Sequence, residues 1–379
     1  MPSTQPTYNV DAESFAEIDP TVDPTALRRG WTTGACATAA TTSAYAALLT
    51  GTFPDPVEIV LPNGKTVAFA LASERLGAGV ATAGIVKDAG DDPDVTHGAL
   101  VTASVRAGEP GSGVTFAAGE GIGTVTKPGL PLAVGEPAIN PVPRAMMRAA
   151  VARLAERYGT SGDVAIELAI PNGAEIAKHT WNPRLGILGG LSILGTTGVV
   201  VPYSCAAWIA TIHEGIDVAR ACGHTHVAGS TGSTSEATVA RMFDLPLGAL
   251  IDMGDFVGGM LKYVRLHPVE RVTIAGGLAK MSKLAQGYLD LHSKRSTLDL
   301  HALAELAREG GASDALATAI ANANTGLHAH ELAASAGIAL SQLVAERARA
   351  TALGVLKGAP VALDVLVVDR DGTPVAHAR

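Results

Sequence analysis

Basic side chains recur inside the glycine- and proline-rich loops of this chain: Lys127, Arg144, Arg184, Lys280 and Arg295 each stand in or beside such a run. A set of this kind can grip a polyanionic small molecule locally, because Arg offers a carboxylate a bidentate fork and Lys a point charge. Taken singly, each is equally an ordinary solvated surface charge. A second grouping surrounds His97, which follows Asp88, Asp91, Asp92 and Asp94. An imidazole among carboxylates suits acid–base work or the anchoring of a carboxylate. The Asp-Pro and Gly content also suits a plain turn-rich loop. A divalent cation could sit there too, although the spacing lacks the terminal Glu of an EF-hand.

Glycine-rich loops that open helices form a third grouping, at residues 229–236 (GSTGSTSE), 254–258 (GDFVG) and 276–277. Backbone N–H groups point outward at such helix starts and the helix dipole favours negative charge, so carboxylate, phosphate or ribose can seat there. Gly229, Gly232, Ser233, Glu236, Gly254, Gly276 and Gly277 are the candidate contacts. Tight packing accounts for the glycines equally well. Glu236 and Asp255 can be read as favourable first-turn and N-cap residues. No Walker lysine pattern and no clean GxGxxG is present, so neither a nucleoside triphosphatase nor a standard dinucleotide fold is signalled. His224 and His226 fall on one side of a strand, but only Cys222 is a nearby soft ligand and no CxxC or HExxH accompanies them. No protein-bound metal is expected.

The elements that must position these residues divide into two kinds. Residues 57–71 alternate apolar and polar around Asn63-Gly64, the signal of a hairpin. Residues 164–177 repeat that design around Asn172-Gly173 and hint at a duplicated unit. Strands are predicted at 99–106 and 113–116, and helices at 38–50 and 143–158. The loop 119–148 (GEGIGTVTKPGLPLAVGEPAINPVPRAMMR) leads into the second helix, with Asn140 ahead of two prolines that fix φ at its start. Ordered loops of this length line sites more often than they idle. Beyond residue 185 the pattern becomes strand–loop–helix in succession, at 226–236, 248–258 and 271–283, which implies a parallel sheet with its loops gathered at the strands' carboxyl ends. Residues 299–350 read as helical and 361–368 as a closing strand. The fold class expected is α/β, with a β-rich α+β domain at 27–185 and a β-loop-α domain with a parallel sheet at 186–379.

The 379 residues, 47% hydrophobic, suit two packed domains. Apolar runs stop short of the ~18–20 residues a membrane span needs. Residues 1–26 lack a basic start and apolar core and read as a disordered arm, not a signal peptide. Three scattered cysteines suit a reducing cytoplasm. A net charge of −8 argues against nucleic acid. A homo-oligomer is compatible with all of this, and the sequence does not fix the copy number.

Several of these runs, in this order, resemble the cobalt-precorrin-5B C1-methyltransferases, the CbiD family. The likeness rests on residues 27–37 (LRRGWTTGACA), 88–98 (DAGDDPDVTHG), the 119–148 loop, 182–186 (NPRLG), 189–198 (GGLSILGTTG), 254–258 and 292–295 (HSKR), and extends from residue 27 to 368. It implies S-adenosylmethionine as methyl donor, held at the glycine-rich loops, with Asp255 or Glu236 on its ribose or amino group. It implies a cobalt-precorrin macrocycle as acceptor, its acetates and propionates met by Lys127, Asn140, Arg144, Arg184, Lys280 and Arg295. The cobalt would belong to the substrate. A mild base such as His97, Asp255 or His292 would take the proton released, and the enzyme would act chiefly by bringing the reactants together. The residues without the resemblance also admit a nucleotide-dependent oxidoreductase or a non-catalytic tetrapyrrole carrier.

Overall fold

The structure is a computed structural model describing residues 27–379; the arm expected at 1–26 lies outside the described residues. The chain forms two compact units that meet in sequence between Ser204 and Cys205.

In the first unit, five strands form one sheet in the order Ser73–Gly77, Val80–Val86, Leu100–Ala107, Val164–Ala169, Val114–Ala118. All pairs are antiparallel except the last, which is parallel. Strand alternation turns Val101, Ala103 and Val105 inward, where all are fully buried. Against them lies the helix Thr33–Thr50, which is buried continuously from Thr33 to Ala47. Its Ala- and Thr-rich composition has no polar face because it is covered on one side by the sheet and on the other by the helix Pro141–Tyr158. Thr32 caps its start by accepting the Ala35 N–H, and Gly51 ends it in the left-handed conformation.

The expected hairpin at 57–71 is present, Val57–Val60 pairing antiparallel with Thr66–Phe69. Its supposed twin is not. After the strand Val164–Ala169, Asn172 adopts a φ of 61° and opens a short helix, Gly173–Ala177. Gly173 is pressed so closely on Gly121 that a Cβ would stand 2.3 Å from the Gly121 carbonyl oxygen. The strand Val164–Ala169 is already paired on both edges, with Leu100–Ala107 and Val114–Ala118, which leaves no edge for the second arm of a hairpin. Residues 186–204 also differ from expectation. Ile187 and Leu188 pair with Val125 and Thr124, and Val199 and Val200 pair with Trp31 and Gly30, so this segment is woven into the first unit.

The second unit is a sheet ordered Leu250–Asp252, His226–Ser230, Arg271–Gly277, Ala362–Val368, all parallel, closed by antiparallel Pro374–Ala378. The helix Ser233–Phe243 covers one face through Val239, against Ala228, Ala275 and Leu366. The helices Cys205–Ala221, Val257–Leu266 and Leu278–Ala285 cover the other, against Val227, Val272 and Ile274. The predicted helical stretch 299–350 is four helices, Leu300–Glu309, Asp314–Ala321, Gly326–Ser335 and Leu340–Leu356. From His226–Ser230 the chain steps to one neighbouring strand and then back past it to the other. The loops leaving His226–Ser230 and Arg271–Gly277 therefore depart to opposite faces, which opens a crevice between their carboxyl ends.

Candidate functional site

That crevice gathers residues far apart in sequence. Thr231 donates its N–H to the Ala275 carbonyl at 3.0 Å, and the Thr231 carbonyl accepts from Lys280 Nζ at 3.1 Å. The same ammonium stands 3.1 Å from Asp255 Oδ1. That oxygen nevertheless lacks a hydrogen bond of good angle, and so does the Ser230 hydroxyl. Ser230 is only 1% exposed. Two buried acceptor-capable atoms without a hydrogen bond at adjoining strand ends are costly, and a polar ligand would relieve that cost. Lys283 lies one helical turn beyond Lys280, is 8% exposed and donates to the Leu291 carbonyl at 2.9 Å. Burial lowers its pKa, against the raising effect of the Asp255 carboxylate.

The local chain explains the position of Asp255. Asp252 ends its strand and accepts the Gly254 N–H at 3.3 Å, while Gly254 takes a φ of 53° beneath the Trp208 indole. A side chain at Gly254 would be strained and would press on that ring. Trp208 is held by its own bond to the Asp252 carbonyl at 3.2 Å. The Asp255 carbonyl then accepts from Leu291, bringing the turn that carries Asp290, His292 and Arg295 beside it. His292 Nδ1 accepts the Lys294 N–H at 3.2 Å, and Arg295 pairs with Asp290 at 3.1 Å.

The candidate glycines sort into two roles. A Cβ on Gly229 would stand 2.3 Å from Met260 Sδ, and one on Gly276 2.7 Å from Met281 Cε, so both are packing positions. Gly232 and Gly277 have open space where a Cβ would be, at the starts of the helices Ser233–Phe243 and Leu278–Ala285. Ser233 and Glu236 lie in the first turn of the former. Ser230 is set apart by its burial, which only the fold creates; its place between Gly229 and Thr231 at a strand end is the one signal of it in the sequence.

The first unit treats its candidates differently. Arg144 Nε donates to the Ile139 carbonyl at 2.8 Å and a terminal nitrogen to Pro137 at 3.1 Å, while Glu136 pairs with it at 2.7 Å. Its guanidinium also lies 5.5 Å from the centre of the Phe116 ring. Arg144 is thus a brace for the loop ahead of its helix, with Asn140 at the cap accepting the Arg144 N–H. Lys127 reaches the Arg184 carbonyl at 3.3 Å, its stem lying across Gly186, and Arg184 stacks 5.2 Å from the Trp181 ring.

The acidic loop is a structural clasp. Asp88 holds the Arg28 guanidinium, which keeps its pKa down at about 2. Asp91 accepts the Arg28 N–H at 2.6 Å and Asp92 the Tyr203 N–H at 2.8 Å. Asp94 pairs with the buried Lys87 and accepts from Thr96. His97, 53% exposed, accepts the Ala89 N–H through Nδ1 at 3.1 Å. His226 bonds Thr273 Oγ1 at 2.8 Å and meets the edge of Phe243. Among the described residues no three His, Cys, Asp or Glu side chains cluster as metal ligands.

Fold and crevice together define a mixed α/β protein with a crevice at the carboxyl edge of a parallel sheet, lined by hydroxyl, carboxylate and ammonium groups. The chain belongs to the CbiD family: that family's profile matches residues 21–202 and its C-terminal-domain profile residues 290–379. It is 61% identical to the cobalt-precorrin-5B C(1)-methyltransferase of Agrobacterium fabrum over 350 residues, 92% of each chain. It is 62% identical to that of Paramagnetospirillum magneticum over 356 residues, 94% of this chain and 99% of the relative. A crystal structure of a cobalamin biosynthesis protein from Archaeoglobus fulgidus matches at 27% identity over 71% of this chain and 83% of that one, with a TM-score of 0.39.

Proposed function

We infer that this protein transfers a methyl group from S-adenosylmethionine to C-1 of cobalt-precorrin-5B, giving cobalt-precorrin-6A in cobalamin biosynthesis. Identity near 60% across more than nine-tenths of the chain to enzymes of that name carries the inference. S-adenosylmethionine, when bound, supplies an electrophilic methyl group on a sulfonium centre.

The crevice of the second unit fits that donor. Ser230 Oγ and Asp255 Oδ1 are buried and lack good hydrogen-bond partners; ribose hydroxyls or an ammonium group would satisfy them. The open helix starts at Gly232 and Gly277, with Lys280 beside the second, suit a carboxylate. Of the candidate bases, Asp255 and His292 stand by this crevice. Because His292 Nδ1 accepts a backbone N–H, its neutral ring carries the hydrogen on Nε2, so we assign the released proton to the Asp255 carboxylate, the one of the two with an oxygen able to take it. Positioning and water exclusion supply most of the acceleration, since correctly held reactants need little further chemistry. The chain's three cysteines are unpaired, which agrees with a reducing cytoplasm, and no helix among the described residues is long and apolar enough to cross a membrane.

The test is turnover. Purified protein with cobalt-precorrin-5B and S-adenosylmethionine labelled in its methyl group should place one labelled methyl on the macrocycle. Binding of both compounds without label transfer would reduce the protein to a carrier.

A further inference from the structure

Next to the donor crevice, within the second unit, is a cleft of about 500 Å³ that the donor reading does not use. Its walls come from the helices Cys205–Ala221 and Val257–Leu266 and from the turn after Leu289. Phe256, Ile209 and Leu289 make it apolar, while Lys262 and the pair Arg295–Asp290 also line it. Lys262 is exposed and has neither an ion pair nor a hydrogen bond among the described residues. Leu266, on the rim, is 68% exposed.

One wall is stiff, because both faces of the Tyr263 ring are covered. His213 stacks on Tyr263 with ring centres 3.9 Å apart and planes 11° from parallel, and Tyr263 stacks in turn on His267 at 4.0 Å. The Tyr263 hydroxyl is locked to Asp217 at 2.6 Å. Burial first, and then that carboxylate, raise the phenol to about 12, so it stays a donor to Asp217 and does not add a negative charge to the cleft.

We propose that this cleft seats one edge of the macrocyclic acceptor, its apolar ring lying against Phe256, Ile209 and Leu289 and its peripheral carboxylates on Lys262 and on Arg295, which they would share with Asp290. The proposal rests on the methyltransferase reading and names the site of its second substrate. Charge favours this occupant. On a chain of net charge −8, the uncommitted Lys262 ammonium and the Arg295 guanidinium, paired with Asp290, border an apolar slot, which suits a ligand that is apolar-faced and carries carboxylates. Continuity favours it as well. Phe256 lines the cleft and is the residue after Asp255, so the acceptor would lie beside the donor, as an in-line transfer requires.

Cys205 supplies the test, because it lines the cleft while Cys222 does not and Cys36 is buried. Alkylation of the full chain by N-ethylmaleimide is followed at each cysteine by mass spectrometry, with cobyrinic acid as a cobalt corrinoid bearing free carboxylates. At about ten times its dissociation constant, the corrinoid should slow modification of Cys205 by about tenfold and leave Cys222 unchanged. In parallel, Lys262→Glu should weaken corrinoid binding by about tenfold or more while S-adenosylhomocysteine affinity stays within about twofold, a solvent-facing reversal that does not disturb the core. Saturating corrinoid binding with an unprotected Cys205 and an indifferent Lys262→Glu would overturn this site and leave the methyltransferase reading intact. Protection by S-adenosylhomocysteine in place of the corrinoid would overturn it also, making the cleft the donor's. Absence of methyl transfer by the unaltered protein on cobalt-precorrin-5B is the separate result that removes the reading beneath it.

Discussion

Lys280 Nζ stands 3.1 Å from Asp255 Oδ1 and 3.1 Å from the Thr231 carbonyl, tying together the loops that follow three different strands of the parallel sheet. One ammonium thus sets the spacing of the crevice in which the donor is assigned. Asp255→Asn keeps the size of the side chain and removes its charge. S-adenosylhomocysteine affinity measured by calorimetry should fall by about 10- to 150-fold, the value of a charge-assisted hydrogen bond of about 1.5–3 kcal/mol. An unchanged dissociation constant would take Asp255 out of the donor site.

Ser230→Ala separates stability from binding. Its hydroxyl is buried and unpartnered in the protein alone, so its removal should leave the melting temperature unchanged or raise it, by up to about 1 kcal/mol of stability. Donor affinity should nevertheless drop by about 1 kcal/mol, roughly fivefold. A loss of stability with unaltered affinity would mark Ser230 as structural.

Arg144 braces its loop through two backbone carbonyls and Glu136 while only 14% of the side chain is exposed. Arg144→Ala should therefore cost about 2–4 kcal/mol of folding stability, seen in urea titration, because it leaves carbonyls and a carboxylate without partners. Arg144→Lys should recover little of that, since a single ammonium cannot bond both carbonyls with the geometry of the planar fork. Wild-type stability in Arg144→Ala would contradict the brace.

His330 sets a pH dependence. It is 5% exposed, lies between Ser282 and Ser341, and burial lowers its pKa to about 4. In the unfolded chain the ring titrates near 6.5. Above that value it is neutral in both states and costs nothing. Below it the unfolded chain takes up a proton that the folded one refuses, so stability falls as pH drops from about 6.5 to about 4, by at most about 3 kcal/mol from this group. His330→Gln should flatten that part of the stability–pH curve. A slope identical to the parent's would show that the ring is not held neutral.

What could be read along the chain was local. The alternation at 57–71 with its Asn-Gly turn, the loops that open helices and the change of period beyond residue 185 all depend on near neighbours in sequence, and the structure contains the hairpin and the parallel sheet they implied. The ordered run of motifs identified the family in the same way. Asn172-Gly173 has the same local signal as Asn63-Gly64, yet the strand before it is paired on both edges by strands distant in sequence, and a short helix follows in place of a second arm. The difference between Arg144 as a brace and Lys262 as an uncommitted cation is likewise invisible in sequence, because it depends on which carbonyls and carboxylates the fold brings within reach. Ser230 becomes a candidate only once the sheet has buried its hydroxyl without a partner. Periodicity and capping are properties of a few consecutive residues, whereas desolvation and hydrogen-bond satisfaction belong to the packed whole. The sequence therefore determined the elements and the family, and the tertiary structure decided which of its polar groups were left for a ligand.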